Sequence, residues 1–246
     1  MVSALASVPF VIANSYAAYI ANTSPTPPPD ISEQNRFREQ RATRDVLSYI
    51  TPFTVPVLFT VQVMFCMSEV YMITSTVYPS LQVPFLHQIL LPYPAKAPSA
   101  STFHLTPSFV LVSTLLYAGT ILRALCYRAL GRHFTFELAI KKEHKLVTDG
   151  PYSFVRHPSY LGEILVFLGM VLAQLFNPGT WWTECGMWET RQGQAFGYFW
   201  VVFTSSVLWM ILSRVPKEDL MMRMQFGEEW MSWSKRTPYA VIPYVW

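Results

Sequence analysis

Five long apolar runs constrain this chain more than any other feature of its sequence. They are Ala4 to Ala21, about Val46 to Met72, about Leu105 to Leu122, Tyr160 to Phe176, and Phe196 to Leu212. A helix needs roughly 20 apolar residues to cross the hydrocarbon of a bilayer, with about 17 as the lower limit. The fourth and fifth runs, at 17 residues each, sit at that limit, whereas the second is long enough to tilt or to project from the membrane. Only 13% of the 246 residues are charged and 52% are hydrophobic, where a soluble domain carries about a quarter charged. The expectation is an all-α integral membrane protein with about five transmembrane helices, organised as a single membrane domain over residues 1–246.

The connectors are as informative as the spans. Ala4 to Ala21 has no Lys or Arg before it, so it reads as a first span rather than a secretory signal peptide. Asn14, Ser15 and Tyr16 interrupt it, and a cleaved or surface-lying segment is the alternative. Pro25 to Asp30 forms a Pro-rich connector, followed by Arg36, Arg38, Arg41 and Arg44 on a polar helical lead-in. Pro52 and Pro56 are expected to kink the early turns of the second span. Tyr78 to Pro107 contains six prolines and no helical or strand period, so it reads as an irregular loop. Asn177 to Ala195 carries Trp181, Trp182 and Trp188, rings of the kind that seat at the headgroup level. Lys217 to Lys235 reads as a C-terminal interfacial helix, with Leu220, Met221, Met224 and Met231 either towards the membrane or packed against the other helices.

Positive charge sets the expected orientation. Arg36 to Arg44, Arg123 to Arg156, and Arg214 to Arg236 together hold 16 of the 18 Lys and Arg residues, leaving Lys96 and Arg191. These three segments alternate with five spans, so the positive-inside rule predicts an outside N-terminus and a cytosolic C-terminus. The polar clusters then all fall on the cytosolic face. A net charge of +3 gives no argument for nucleic acid. Cys66, Cys126 and Cys185 lack ligand spacing, so neither a metal site nor a disulfide framework is expected.

The densest polar stretch runs from His144 to Tyr160, around an Asp149-Gly150-Pro151 turn at the mouth of the fourth span. Polar side chains at such a position mark a functional site by default. A second cluster pairs Arg214, at the end of the fifth span, with Glu218 four residues later, on one helix face. Singly, each has an ordinary reading: a basic loop touching headgroups, or a helix-end ion pair worth at most about 1 kcal/mol.

Together and in order, these residues resemble a family. His144-x-Leu146-Val147, Gly150-x-Tyr152, Arg156-His157-Pro158-Ser159-Tyr160, Arg214-x-x-x-Glu218 and Phe226-Gly227-Glu228-Glu229 resemble the isoprenylcysteine carboxyl methyltransferase family of integral membrane enzymes. The resemblance runs from roughly Leu130 to the C-terminus. It makes residues 105–246 the catalytic region, and residues 1–104 the N-terminal spans and Pro-rich loop. It implies S-adenosyl-L-methionine as methyl donor and the prenylated C-terminal cysteine of CaaX proteins as acceptor, in an endoplasmic reticulum membrane with the cofactor pocket facing the cytosol.

By the same resemblance, the donor pocket is lined by Glu137, His144, Lys145, Leu146, Val147, Tyr152, His157, Pro158, Ser159 and Tyr160, with Glu218 holding the donor's ammonium. Arg214 is the catalytic and substrate-binding residue, holding the acceptor carboxylate. Glu137 stands where the family pattern leads one to expect glutamine; a carboxylate accepts a hydrogen bond there but cannot donate one. Trp230 and Trp233 stand where tyrosines are common.

The side chains suit such a donor, which carries a sulfonium, an ammonium and a carboxylate. Glu218 answers the ammonium, imidazole and backbone donors the carboxylate, and the faces of Tyr152 or Tyr160 the cation. No Gly-x-Gly-x-x-Gly follows a strand, which excludes the soluble Rossmann route to a nucleotide. The Arg-His-Pro-x-Tyr piece also occurs in phospholipid methyltransferases and in some membrane sterol reductases. A small-lipid methyltransferase, a nicotinamide-dependent reductase and a non-enzymatic membrane scaffold are therefore the competing expectations.

Overall fold

A computed structural model of the chain describes residues 2–27, 46–131, 134 and 145–245. Glu137, His144 and the arginines at 36, 38, 41 and 44 lie outside the described residues. Among those described, all regular structure is helical: α1 (Val2–Asn22), α2 (Val46–Val77), α3 (Pro84–Leu90), α4 (Pro107–Leu130), α5 (Pro158–Val171), α6 (Trp181–Glu184), α7 (Arg191–Leu212), α8 (Val215–Phe226) and α9 (Glu228–Arg236). Five segments are long and apolar enough to cross a membrane: Ala4–Asn22, Ile50–Val77, Pro107–Leu130, Pro158–Glu184 and Arg191–Phe226. The chain is thus a multi-span, all-α membrane protein, as its apolar runs require.

Local chemistry sets where the helices start and stop. Proline, pre-set for helical φ and lacking an N–H that the first turn could not use, opens α3, α4 and α5. The Thr106 hydroxyl caps α4 by accepting from the Phe109 N–H at 3.0 Å. α2 runs on through Pro52 and Pro56. α5 ends in a wider π turn over Leu172–Phe176. Two expectations change. The Tyr78 to Pro107 stretch is not wholly irregular, because Pro84 starts the seven-residue α3, too short for its period to show in sequence. The Lys217 to Lys235 helix is two helices, since Gly227 adopts φ +50° and ψ −118°, a conformation closed to side-chain-bearing residues.

The described residues form two compact units. The first comprises Met1–Ile20, Val57–Ala118 and Leu165–Ser205. Its aromatic core gathers Trp181, Trp182 and Phe196 around Phe65, with ring centroids 5.9, 5.3 and 6.1 Å away. Trp181 and Trp182 are therefore buried packing residues rather than rings turned outward. α5 and α4 touch backbone to backbone at Gly169, where a β-carbon would lie 2.7 Å from the Val112 carbonyl oxygen, the small-residue packing typical of lipid-embedded helices. A polar thread crosses this unit. Gln62 Nε2 donates to Ser15 Oγ (2.9 Å), Gln174 Nε2 to Gln62 Oε1 (2.6 Å), and Trp200 Nε1 to Gln174 Oε1 (2.8 Å).

The second unit comprises Ala21–Pro56, Gly119–Ile164 and Ser206–Trp246. Its interior holds a charge: Arg123 and Glu163 form a buried ion pair. Arg123 also donates from Nε to the Ala21 carbonyl at 2.7 Å and from Nη1 to the Ser159 carbonyl at 3.3 Å. Gly162 makes room for it, since a β-carbon there would lie 2.8 Å from Arg123 Cγ. One apolar cluster is built on Cys126, Tyr152 and Trp233, with Leu146, Val147 and Trp230 packed against it. Another is built on Val215, Ala240 and Val241, with Tyr160 and Leu161 against it.

Candidate active site

The site is assembled entirely within the second unit. After Lys145–Thr148, Gly150 turns the chain at φ +60° and a short 3-10 turn, Gly150–Ser153, buries Tyr152. The following backbone is fastened to the chain's C-terminal segment: Arg156 N–H donates to the Tyr239 carbonyl (3.0 Å) and His157 N–H to the Ala240 carbonyl (2.7 Å). With His157 so fixed, Pro158 begins α5 and the Tyr160 N–H closes the first turn on the His157 carbonyl at 3.0 Å. From the other side, Arg214 precedes α8, and its carbonyl accepts the N–H groups of Lys217 and Glu218 at 2.9 Å each. Glu218 thereby sits in the first turn of α8, where the helix dipole favours carboxylates, and Asp219 follows it.

These two helix starts bring opposite charges face to face. The His157 ring lies between both carboxylates, Nε2 3.0 Å from Asp219 Oδ1 and Nδ1 3.4 Å from Glu218 Oε2. It stacks on Tyr160 with centroids 5.5 Å apart and planes 9° from parallel. The Tyr160 hydroxyl donates to Glu218 Oε1 at 2.5 Å. Arg156 forks onto Asp219, with Nη2 2.9 Å from Oδ2 and Nε 3.3 Å from Oδ1, and also donates to the Thr237 and Pro238 carbonyls. Arg214 is buried with Nε 3.7 Å from Glu218 Oε1. Burial works against a charge on His157, but hydrogen bonding and attraction from Asp219 and Glu218 outweigh it, raising the imidazole to about 9. His157 is therefore an imidazolium at neutral pH. Burial, and the hydrogen bond it shares with Cys126, push the Tyr152 hydroxyl well above its ordinary range, so it stays a neutral phenol.

Of the residues singled out in sequence, Tyr152, His157, Tyr160, Arg214 and Glu218 converge. Leu146 and Val147 pack beside Tyr152, and Pro158 is fully buried at the start of α5. Ser159 faces another partner, its carbonyl and Oγ accepting from Arg123. Lys145 is exposed. Sequence reasoning missed Asp219, which ties Arg156 to His157. Its only sequence signal was being the second acid of a pair at a helix start. It also missed the role of residues 237–240, whose backbone carbonyls hold Arg156 and His157 and leave no side-chain signature.

Fold and site together define a class: a polytopic α-helical membrane protein with a partly buried Arg, His, Tyr and carboxylate constellation at the end of its spans. Within that class, residues 111–183 match the model of the isoprenylcysteine carboxyl methyltransferase (ICMT) family. The chain is 30% identical over 135 residues to protein-S-isoprenylcysteine O-methyltransferase B of Arabidopsis thaliana, covering 54% of this chain and 57% of that protein. It is 29% identical over 131 residues to the protein-S-isoprenylcysteine O-methyltransferase of Schizosaccharomyces pombe, covering 51% and 46%. It is also 28% identical over 102 residues to a Delta(14)-sterol reductase of Mus musculus, covering 42% of this chain and 20% of that protein. The matches thus span about half the length of the methyltransferases and a fifth of the reductase. No solved structure matches the chain. The family resemblance read from the motifs is borne out.

Proposed function

We propose that this chain methylates the α-carboxylate of a C-terminal S-prenylated cysteine on proteins, with S-adenosyl-L-methionine as donor, in the endoplasmic reticulum membrane and with the site facing the cytosol. The observation that carries the reading is Arg214 buried beside Glu218. One site then offers a cation to an acceptor carboxylate and an anion to the donor's ammonium, in a chain similar to enzymes named for this methylation.

The residues present fit the donor. Glu218 accepts from Tyr160 and faces His157 and Arg214, yet an ionised carboxylate offers about four acceptor positions, which leaves capacity for an ammonium. Trp230 Nε1 is buried with no hydrogen-bond partner among the described residues and packs on the cluster that includes Leu146, Val147 and Tyr152. A buried N–H donor left unmade costs about 1–3 kcal/mol. A nucleoside nitrogen or oxygen would satisfy it. When bound, the donor supplies an electrophilic methyl on a positively charged sulfur.

The chain's own part is binding and alignment. The acceptor carboxylate, with a reference pKa of about 3.5, is already ionised at neutral pH, so the site needs no general base. Arg214 holds it in a planar fork. His157, fixed by Asp219 and Glu218, keeps positive charge at the donor's carboxylate end. Tyr152 and Tyr160 present ring faces to the cationic region. Burial excludes water, so that orientation supplies much of the rate. The prenyl chain is worth about 0.8 kcal/mol per buried CH₂, which keeps the acceptor in the bilayer beside the spans.

A methyl-transfer assay with purified protein, labelled donor and N-acetyl-S-farnesylcysteine tests the reading. Labelled methyl ester is expected. The similarity to Delta(14)-sterol reductases favours a second reading, a nicotinamide-dependent reductase. Calorimetry separates the two: binding of S-adenosylhomocysteine supports the first, and binding of a nicotinamide dinucleotide alone replaces it.

A further inference from the structure

The polar thread of the first unit borders a cavity of about 50 Å³, lined by Asn14, Ser15, Gln62, Glu69 and Gln174 together with apolar residues that include Phe65 and Leu116. Three of the five spans supply its polar lining: Ala4–Asn22, Ile50–Val77 and Pro158–Glu184. Ionisable and amide side chains within spans are expensive and face one another or a ligand. Each lining amide donates once within the protein. Gln62 gives its amide to Ser15, Gln174 to Gln62, and Asn14 Nδ2 to Ser113 Oγ at 2.9 Å. On the acceptor side, two groups keep capacity. Asn14 is 6% exposed, and its Oδ1 has no partner among the described residues. Glu69 receives one hydrogen bond, from the Trp181 N–H to Oε2 at 2.6 Å. No Lys, Arg or His is paired with it among the described residues.

A carboxylate and an amide oxygen, both with acceptor capacity in a small cavity with an apolar rim, suit a ligand that carries positive charge and N–H donors. Gln174 lies in the π turn that ends α5, the kind of helix irregularity that accompanies ligand sites. We propose that this cavity binds an ammonium group, held by the Glu69 carboxylate and the Asn14 amide oxygen. The ammonium belongs either to the free ion or to the head of a membrane-dissolved primary amine whose chain lies along the apolar rim.

Thermal unfolding of the full chain in nonionic detergent at pH 7 tests this. Ammonium chloride is compared with tetramethylammonium chloride at equal ionic strength, and dodecylamine with dodecanol at fixed detergent. A ligand present at ten times its dissociation constant should raise the midpoint by about 3 °C. Tetramethylammonium and dodecanol should leave it unchanged. A rise with ammonium chloride assigns the free ion, and a rise with dodecylamine alone assigns the amphiphile. In either case the rise should vanish in the isosteric Glu69→Gln and persist in Glu218→Gln. No rise with either cation in the wild-type chain, or an equal rise in Glu69→Gln, overturns the proposal.

Discussion

Arg214 is the residue whose charge and geometry a single substitution can separate. Lysine keeps the charge but replaces a rigid two-pronged donor with a flexible point donor. If Arg214 orients an acceptor carboxylate, Arg214→Lys should lower turnover of the prenylcysteine by tenfold or more, about 1.4 kcal/mol of barrier, and leave donor affinity nearly intact. If the ion pair with Glu218 is its whole role, lysine should serve almost as well, and any loss should appear in donor binding. Measuring both on one preparation decides it. His157 gives a pH signature. Its folded value of about 9 stands above the ordinary 6.5, so its contribution to stability is fully present below about pH 6.5 and is lost as pH rises through 9. The effect is on the order of 3 kcal/mol. Unfolding midpoints from pH 6 to 10 should converge for wild type and His157→Gln at the alkaline end. A constant gap between the curves would show that the imidazolium is not what stabilises the site.

Single residues also set how the elements meet, most visibly at Gly227 between α8 and α9. Its conformation is open to glycine alone, and nothing lies within 4 Å of where a β-carbon would stand. Gly227→Ala therefore isolates backbone strain from steric clash, and it should cost about 1–3 kcal/mol, read as a lower unfolding midpoint with earlier proteolysis between the two helices. An unchanged midpoint would mean that α8 and α9 merge into one helix without penalty. The amphipathic pattern from Lys217 to Lys235 ran straight across this break because binary pattern carries no φ angle. The long elements were legible for the opposite reason: seventeen or more apolar residues leave a chain in lipid few other solutions. Within the site, His157, Tyr160 and Glu218 could be read from their spacing. Asp219 could not, because its importance arises only when α5 and α8 start side by side. The C-terminal carbonyls at 239 and 240 could not be read at all, since they act without side chains.

At the scale of the whole molecule, the distribution of charge makes a topological prediction. With 16 of 18 basic residues in three alternating segments, a C-terminal tag should be digested and an N-terminal tag protected in sealed microsomes. A protected C-terminus would place the proposed chemistry on the wrong side of the bilayer for cytosolic prenylated proteins. The buried ion pair of the second unit carries a different consequence, for biogenesis. Arg123 is carried towards the C-terminal end of α4, whereas its counter-charge Glu163 arrives only on α5. Until Glu163 is in place Arg123 would be a buried charge without its counter-charge, so α4 gains by lingering at the insertion channel until α5 emerges. α1 left the ribosome earlier still, yet its Ala21 carbonyl is held by Arg123 and Tyr127. α1 can dock on α2 early, through Ser15 and Gln62, but its Ala21 carbonyl waits for partners synthesised about a hundred residues later.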